Sequence, residues 1–240
     1  MVMDAHVWLV SLDAPDVDEA WCNRVLSAEE RDRAGRFRFP RDRRRYIVSH
    51  AALRSVLASH LARPPEQLEF FRRPGGKPAL MPSAAGPLVE FNLSHSDGLA
   101  LIAVTREQQI GVDLERVRED VAFAEVAARF FSARENAALV ALPSRLQRLG
   151  FFQCWTAKEA LSKARGRGLD GTPSDVDIAW TPDDVVRIRP TGRDLTLLPL
   201  NPARGYVGAV AIEGERVEIE LLSAALEGGA PWRQPIAMGR

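Results

Sequence analysis

Trp155-Thr-Ala-Lys158-Glu159-Ala-Leu161-Ser-Lys163-Ala-Arg165-Gly-Arg167-Gly168-Leu169 reads as one helix and its exit. Phe151, Phe152, Trp155 and Leu161 make an apolar stripe, the run holds good helix formers, and Gly166 and Gly168 supply a left-handed stop. Glu159 and Lys163 stand four apart, so they share a face and can present a carboxylate and an ammonium to one object. By itself such a pair is most often a solvated helix pair worth about 0.2–0.5 kcal/mol. What meets that face decides its meaning.

Upstream, Ile110-Gly-Val112-Asp113-Leu114-Glu115 has strand character, which sends Asp113 and Glu115 to one face and Val112 and Leu114 to the other. Adjacent carboxylates repel unless a cation lies between them. A hard divalent ion is the natural occupant, with Glu159 as a third oxygen donor. The alternative is a solvated pair on an edge strand. Just before it, the strand Phe91-Asn92-Leu93 ends in Ser94-His95-Ser96-Asp97-Gly98, read as a small polar loop. The apolar run from Leu99 to Val104, a turn at 106–109 and the Asp113 strand then suggest a β-hairpin. A lone histidine is usually structural, but His95 sits in a loop of the kind that carries sites.

Towards the N-terminus, residues 5–11 alternate as a strand, and 15–26 carry helical spacing. Ser27-Ala-Glu-Glu30 is a capping box. The basic run from Arg36 to Arg45 feeds a long helix ended by Pro64 and Pro65. It is either a solvated helix start or an anion site. Leu68 to Arg72 is a short strand, and Lys77 is presented by the turn Pro74-Gly-Gly-Lys77-Pro78. Towards the C-terminus, a helix is expected over 120–131, then a second capping box, Ser132-Ala-Arg-Glu135, and helical spacing on to Ala164. Alternating runs at 176–180, 185–188, 195–198, 206–212 and 217–222 suggest an antiparallel sheet, and the tail from Ala224 reads as poorly ordered.

The chain has 240 residues, is 46% apolar and carries 32 basic and 32 acidic side chains. It is therefore a globular protein with no bulk field for nucleic acid or an anionic membrane. No apolar run is long enough to span a bilayer, and the N-terminus lacks the pattern of a signal peptide, so a cytoplasmic protein is expected. Cys22 and Cys154 have no metal-ligand spacing and read as buried free thiols. A weak repeat links Gly98-Leu-Ala-Leu-Ile-Ala-Val-Thr and its following strand with Gly205-Tyr-Val-Gly-Ala-Val-Ala-Ile and its own, 107 residues on. Ala52-Leu53 and Ala160-Leu161 lie in long helices at an offset of 108. Two copies of a helix-plus-sheet unit would give this pattern, and so would chance similarity of hydrophobic hairpins.

With Asn92-Leu-Ser94-His95-Ser96, Gly111-Val-Asp113-Leu-Glu115, Arg129-Phe-Phe-Ser-Ala-Arg-Glu135 and the Trp155–Leu169 stretch in this order, the chain resembles the surfactin-type (Sfp-like) 4′-phosphopantetheinyl transferases. The resemblance covers most of residues 27–169. It implies an α+β fold of two similar helix-plus-antiparallel-sheet halves related by pseudo-twofold duplication, expected here as 1–104 and 105–224 with a tail at 225–240. It implies transfer of the phosphopantetheine arm of coenzyme A to a serine of an apo acyl, peptidyl or polyketide carrier protein. The products are the holo carrier and adenosine 3′,5′-bisphosphate. By the same resemblance, Asp113, Glu115 and Glu159 hold Mg2+, Glu159 is the proton acceptor with Glu135 in reserve, and Lys163 contacts the transferring phosphate. Ser94 and His95 contact phosphate, Arg45 and Lys77 lie at the nucleotide end with Arg33 a weaker match, and Lys158 is counted among the coenzyme A contacts. Glu30 stands where some members carry a lysine, and Arg167 replaces a common lysine.

The chemistry agrees with these residue types: phosphoryl transfer needs charge neutralisation, cations on nonbridging oxygens and a base for the hydroxyl. A metal-dependent nuclease would want a basic groove that this neutral chain lacks. A non-catalytic coenzyme A or carrier-binding module is the other alternative. The apparent duplication favours a monomer. The Trp-x-x-Lys-Glu-Ala form resembles members acting in secondary metabolism, with fatty-acid carriers left open.

Overall fold

The computed structural model describes residues 3–82, 88–166, 176–180, 186–190, 195–214, 217–224 and 234–235. Arg167, Gly168 and Leu169 lie outside them, as does the expected tail apart from residues 234–235. Strand β1 (Met3–Ser11) leads to helices α1 (Glu19–Val25), α2 (Ala28–Gly35) and α3 (Pro40–Leu61), a short hairpin, β2 (Phe70–Arg72) and β3 (Pro78–Leu80), and two longer strands, β4 (Val89–Ser96) and β5 (Leu99–Arg106). The order then recurs. Strand β6 (Ile110–Arg116) leads to α4 (Phe123–Phe130), α5 (Ala133–Ala141) and α6 (Ser144–Arg165), the pair β7 (Val176–Trp180) and β8 (Val186–Pro190), and β9 (Leu195–Leu200) and β10 (Tyr206–Glu213). Two further strands follow, β11 (Val217–Ala224) and β12 (Gln234–Pro235).

The duplication extends below the level of element order. Helices α3 and α6 are both 22 residues long and both end on a left-handed cap, Ala62 at φ 51° and Gly166 at φ 65°. They therefore correspond at an offset of 104, one helical turn from the 108 suggested by their Ala-Leu pairs. Both capping boxes form, Ser27 with Glu30 and Ser132 with Glu135. Each box glutamate also takes a buried cation from its long helix. Arg54 Nε donates to Glu30 at 2.8 Å, and Lys158 Nζ donates to both Glu135 oxygens at 2.8 and 2.7 Å.

Period-two alternation builds the layers. In β1 and β5, Trp8, Val10, Ala100, Ile102 and Val104 pack in the core that includes the α3 residues Val48, Ala52 and Val56. Their alternates, Ala5, Val7, Leu101 and Ala103, join Ile110, Val112 and Leu114 of β6 and Val210 and Ile212 of β10 in a core between the two sheets. The other face of β10, with Val207, Ala209 and Ala211, packs with α6 residues Ala157, Ala160 and Leu161. The result is helix, sheet, sheet, helix. Among the described residues no helix is long and apolar enough to cross a membrane. Cys22 and Cys154 are buried and free, and burial raises both thiol pKa values, that of Cys22 to about 12.

Local spacing placed strands well but not their partners. The runs after residue 175 do not form one antiparallel sheet: β7 pairs with β8, β9 and β10 extend from β6, and β11 returns to lie parallel to β1. The hairpin is β4–β5, turning at Asp97-Gly98, so Ser94, His95 and Ser96 are strand rather than loop residues. Strands β5 and β6 do not pair, because β5 has β1 on one side and β4 on the other. The helix expected to run unbroken to Ala164 is divided at Leu142-Pro143, where the residue preceding proline is driven extended, ψ 148°.

Arg54 is 1% exposed and also donates to the carbonyls of Pro65 and Leu68. Arg54→Met removes one partner of a buried pair and should cost about 3–5 kcal/mol, lowering the midpoint by roughly 10 °C. An unchanged thermal midpoint would refute a structural role for the pair.

Candidate active site

The two sheets meet edge to edge at β4 and β6, each the last strand of its sheet. No backbone ladder joins them there. Instead, the side chains that β4 sends to one face cap the amides of β6: Asn92 Oδ1 accepts from Val112 N at 2.9 Å, Ser94 Oγ from Leu114 N at 3.3 Å and Ser96 Oγ from Arg116 N at 3.0 Å. Spacing by two on both strands sets this register, and it satisfies amides that an edge would leave unpaired. The two serine hydroxyls then donate onward, Ser94 Oγ to Asp113 Oδ1 at 2.8 Å and Ser96 Oγ to Glu115 Oε2 at 2.9 Å.

Helix α6 lies over the same face of β6. A Cβ on Gly111 would sit 2.1 Å from the Ala160 carbonyl oxygen and 2.3 Å from Ala164 N, so only glycine permits this approach. The closeness brings Lys163 Nζ to 2.5 Å from Asp113 Oδ1 and 3.1 Å from Ser94 Oγ. Burial raises the carboxyl pKa values of Asp113, Glu115 and Glu159; Lys163 pulls all three back, while repulsion among the carboxylates adds to the rise at Glu115 and Glu159. Asp113 Oδ2 is buried with no hydrogen-bond partner. Oxygen-only donors, mutual repulsion and an unpartnered acceptor are what a hard cation would relieve. Among the described residues, no three His, Cys, Asp or Glu side chains are grouped closely enough to hold a metal ion as placed.

The remaining expected residues fall into two groups. Arg45 lies at the rim, with Nε 2.9 Å from Asp13 Oδ1 and Nη1 2.8 Å from Asp97 Oδ1; these carboxylates raise its pKa, and Arg45 lowers that of Asp13. Asp97 also accepts from Arg116, whose amide Ser96 caps. Arg33 stacks 5.8 Å over the Tyr46 ring and lines an open cavity of about 450 Å³ with Glu29, Asp32, Arg36 and Phe37. Burial first, then Lys163 and Arg45, lowers the His95 pKa. The second group is turned inward. Lys158 and Glu135, each 2% exposed, spend their charges on each other. Lys77, 7% exposed, donates to two backbone carbonyls, and burial lowers its pKa to about 8. Glu30 is held by its capping box and by Arg54.

This seam, with a lysine, one buried carboxylate and two half-buried ones behind a serine-lined strand, sits where two models of known families meet. The model described as "4′-phosphopantetheinyl transferase, N-terminal" matches residues 15–107, and that of the 4′-phosphopantetheinyl transferase superfamily matches residues 109–211. The chain is 39% identical over 211 residues to 4′-phosphopantetheinyl transferase HetI of Nostoc sp., covering 88% of each protein. The chain belongs to the 4′-phosphopantetheinyl transferase family. It is also 37% identical over 145 residues to the transferase psf-1 of Bacillus pumilus (60% of this chain, 59% of the relative) and 32% identical over 146 residues to Sfp of Bacillus subtilis (60% and 62%). The reaction of this transferase is thus the transfer of the phosphopantetheine arm of coenzyme A to carrier proteins.

Three features of this candidate site were not read from the sequence: the role of Asn92, Ser94 and Ser96 as caps of β6, the close contact at Gly111, and the clamp of Asp13 and Asp97 on Arg45. The spacing by two was visible in the sequence, but the facing strand was not. Gly111→Ala should push α6 from β6 and slow transfer by roughly 100-fold, the scale expected for a displacement of about 1 Å. The check is single-turnover transfer together with circular dichroism; a folded variant at native rate would refute the constraint.

Proposed function

We propose that the β4–β6–α6 seam is the reaction centre, with Asp113, Glu115 and Glu159 holding Mg2+. The unpartnered, buried Asp113 Oδ2 carries this reading, supported by the raised pKa values of all three carboxyls. When bound, the ion neutralises the pyrophosphate of coenzyme A and stabilises charge on the leaving phosphate. The carrier serine oxygen forms a bond to the pantetheine-side phosphorus as the bond to the bridging pyrophosphate oxygen breaks, releasing adenosine 3′,5′-bisphosphate. Glu159 accepts the hydroxyl proton; burial raises its pKa and so makes its carboxylate a stronger base than an exposed one. Lys163, held by Asp113 and Ser94, meets the nonbridging oxygens where negative charge shifts.

In the same reading, Ser94 and His95 face the phosphates, Arg45 serves the nucleotide end, and Arg33 does so from the cavity at Phe37. Glu135 and Lys158 support the site from beneath as a buried pair rather than touching substrate. The division into halves at 104 and 105, a monomeric state and a cytoplasmic location belong to this proposal. The recurrence of the whole element order within one chain favours the monomer, because the second half supplies what a partner would otherwise bring. Acyl, peptidyl and polyketide carriers are the substrate class.

Mass spectrometry of an apo carrier incubated with the protein, coenzyme A and magnesium should show a gain of the phosphopantetheine mass. Excess chelator should abolish the gain, and magnesium should restore it; full turnover without metal would exclude the ion.

Glu159→Gln keeps shape but removes both base and charge, so it should lower magnesium affinity and slow transfer by about 10²–10⁴-fold. Lys163→Ala should slow transfer while leaving magnesium dependence nearly intact. Native transfer by Lys163→Ala, with Glu159→Gln melting far below the unmodified protein, would reduce the pair to a structural salt bridge.

A further inference from the structure

The turn between β2 and β3 belongs to the first half but rests on the second. Lys77 Nζ donates to the Ile110 carbonyl at 2.8 Å, to Gln109 Oε1 at 3.2 Å and to the Ala164 carbonyl at 3.2 Å. Ile110 opens β6, and Ala164 lies in the last turn of α6. The final carbonyls of a helix have no partner within it and carry the negative end of its dipole, so an ammonium there is favourable. The Gly166 amide caps Lys163 O and Ser162 O, and Lys77 takes Ala164 O. At Gly75, φ +93°, a Cβ would lie 2.3 Å from the Gly166 carbonyl oxygen, so the backbone of the turn abuts the helix cap. Arg73 ties the other side of the turn to Glu90 of β4 and to Gln109. Glu90 and Glu213 favour the charged Lys77, and Arg73 opposes it.

We infer that this turn is a latch and that Lys77 is a positioning residue, holding the last turn of α6 against the start of β6 and thereby setting Lys163 and Glu159 against Asp113 and Glu115. Lys163 lies in that last turn, the part of a helix most prone to fray. A frayed turn would carry its ammonium away from Asp113 and Ser94. The inference rests on the proposed reaction centre for its catalytic consequence but not for the latch contact. It assigns the Lys77 ammonium to protein carbonyls and not to a nucleotide phosphate.

Two variants test it from opposite sides. Lys77→Met removes the cation, and Gly75→Ala wedges the same contact while leaving every charge in place. Each should speed hydrogen exchange at the amides of residues 163–166, and each should lower kcat by about 10- to 100-fold with coenzyme A Kd changed less than about threefold. Combined with Lys163→Ala, Lys77→Met should cost clearly less than it does alone, because the two act through one group. Weaker coenzyme A binding at unchanged kcat would make Lys77 a nucleotide contact and overturn the latch. Unchanged exchange at the end of α6, or fully multiplicative losses in the double variant, would also overturn it. Faster exchange in both variants beside a native rate for Lys163→Ala would keep the latch and reject the reaction centre instead. Should Lys77→Met fail to fold, Gly75→Ala carries the same exchange and kinetic test.

Discussion

The missing Cβ at Gly111 is the constraint on which the centre of this protein depends. A helix resting on a sheet ordinarily stands off by the length of the side chains between them. Here the backbone of β6 touches the backbone of α6 near Ala160 and Ala164. At that separation a lysine on the helix reaches a carboxylate two residues along the strand. The lysine then partly offsets the desolvation of three clustered acids, whose mutual repulsion would otherwise disfavour the fold.

Both halves have the same framework, but only the second carries acids at the positions of Asp113, Glu115 and Glu159. Through the strand register, β1 stands to β5 as β6 stands to β10, which sets Trp8 and Val10 where β6 has Asp113 and Glu115. At the helix offset of 104, Ser55 and Ser59 stand where α6 has Glu159 and Lys163. The first half has thus filled its equivalent position with an indole and packed it against α3. The shared parts are structural: the capping box and the buried cation on its glutamate. Their recurrence in a half with no such acids explains why Glu135 and Lys158 turn inward. A buried pair that fixes one helix against the next is useful in both copies.

The seam has two owners. Strand β4 supplies the hydroxyls, β6 two carboxylates, α6 the ammonium and the third acid, and the β2–β3 turn the brace at the helix end. Each half alone would expose an unpaired strand edge. Their junction satisfies those amides with side chains, and it brings hydroxyl, carboxylate and ammonium groups into contact.

The sequence by itself determined the local elements and the candidate chemistry. Alternation put Asp113 and Glu115 on one face, helical spacing put Glu159 and Lys163 on another, and Ser27 and Ser132 announced their helices, because these signals depend only on neighbours a few residues away. The motif order also pointed to the family. Tertiary structure alone decided partners. That β11 returns to β1, that β5 and β6 part into different sheets, and that Glu135, Lys158 and Lys77 spend their charges on protein groups all depend on contacts distant in sequence. A charged side chain looks the same in a sequence whether it faces substrate or a buried counterion. Only the packing around it, which removes water and supplies or withholds a partner, separates the two.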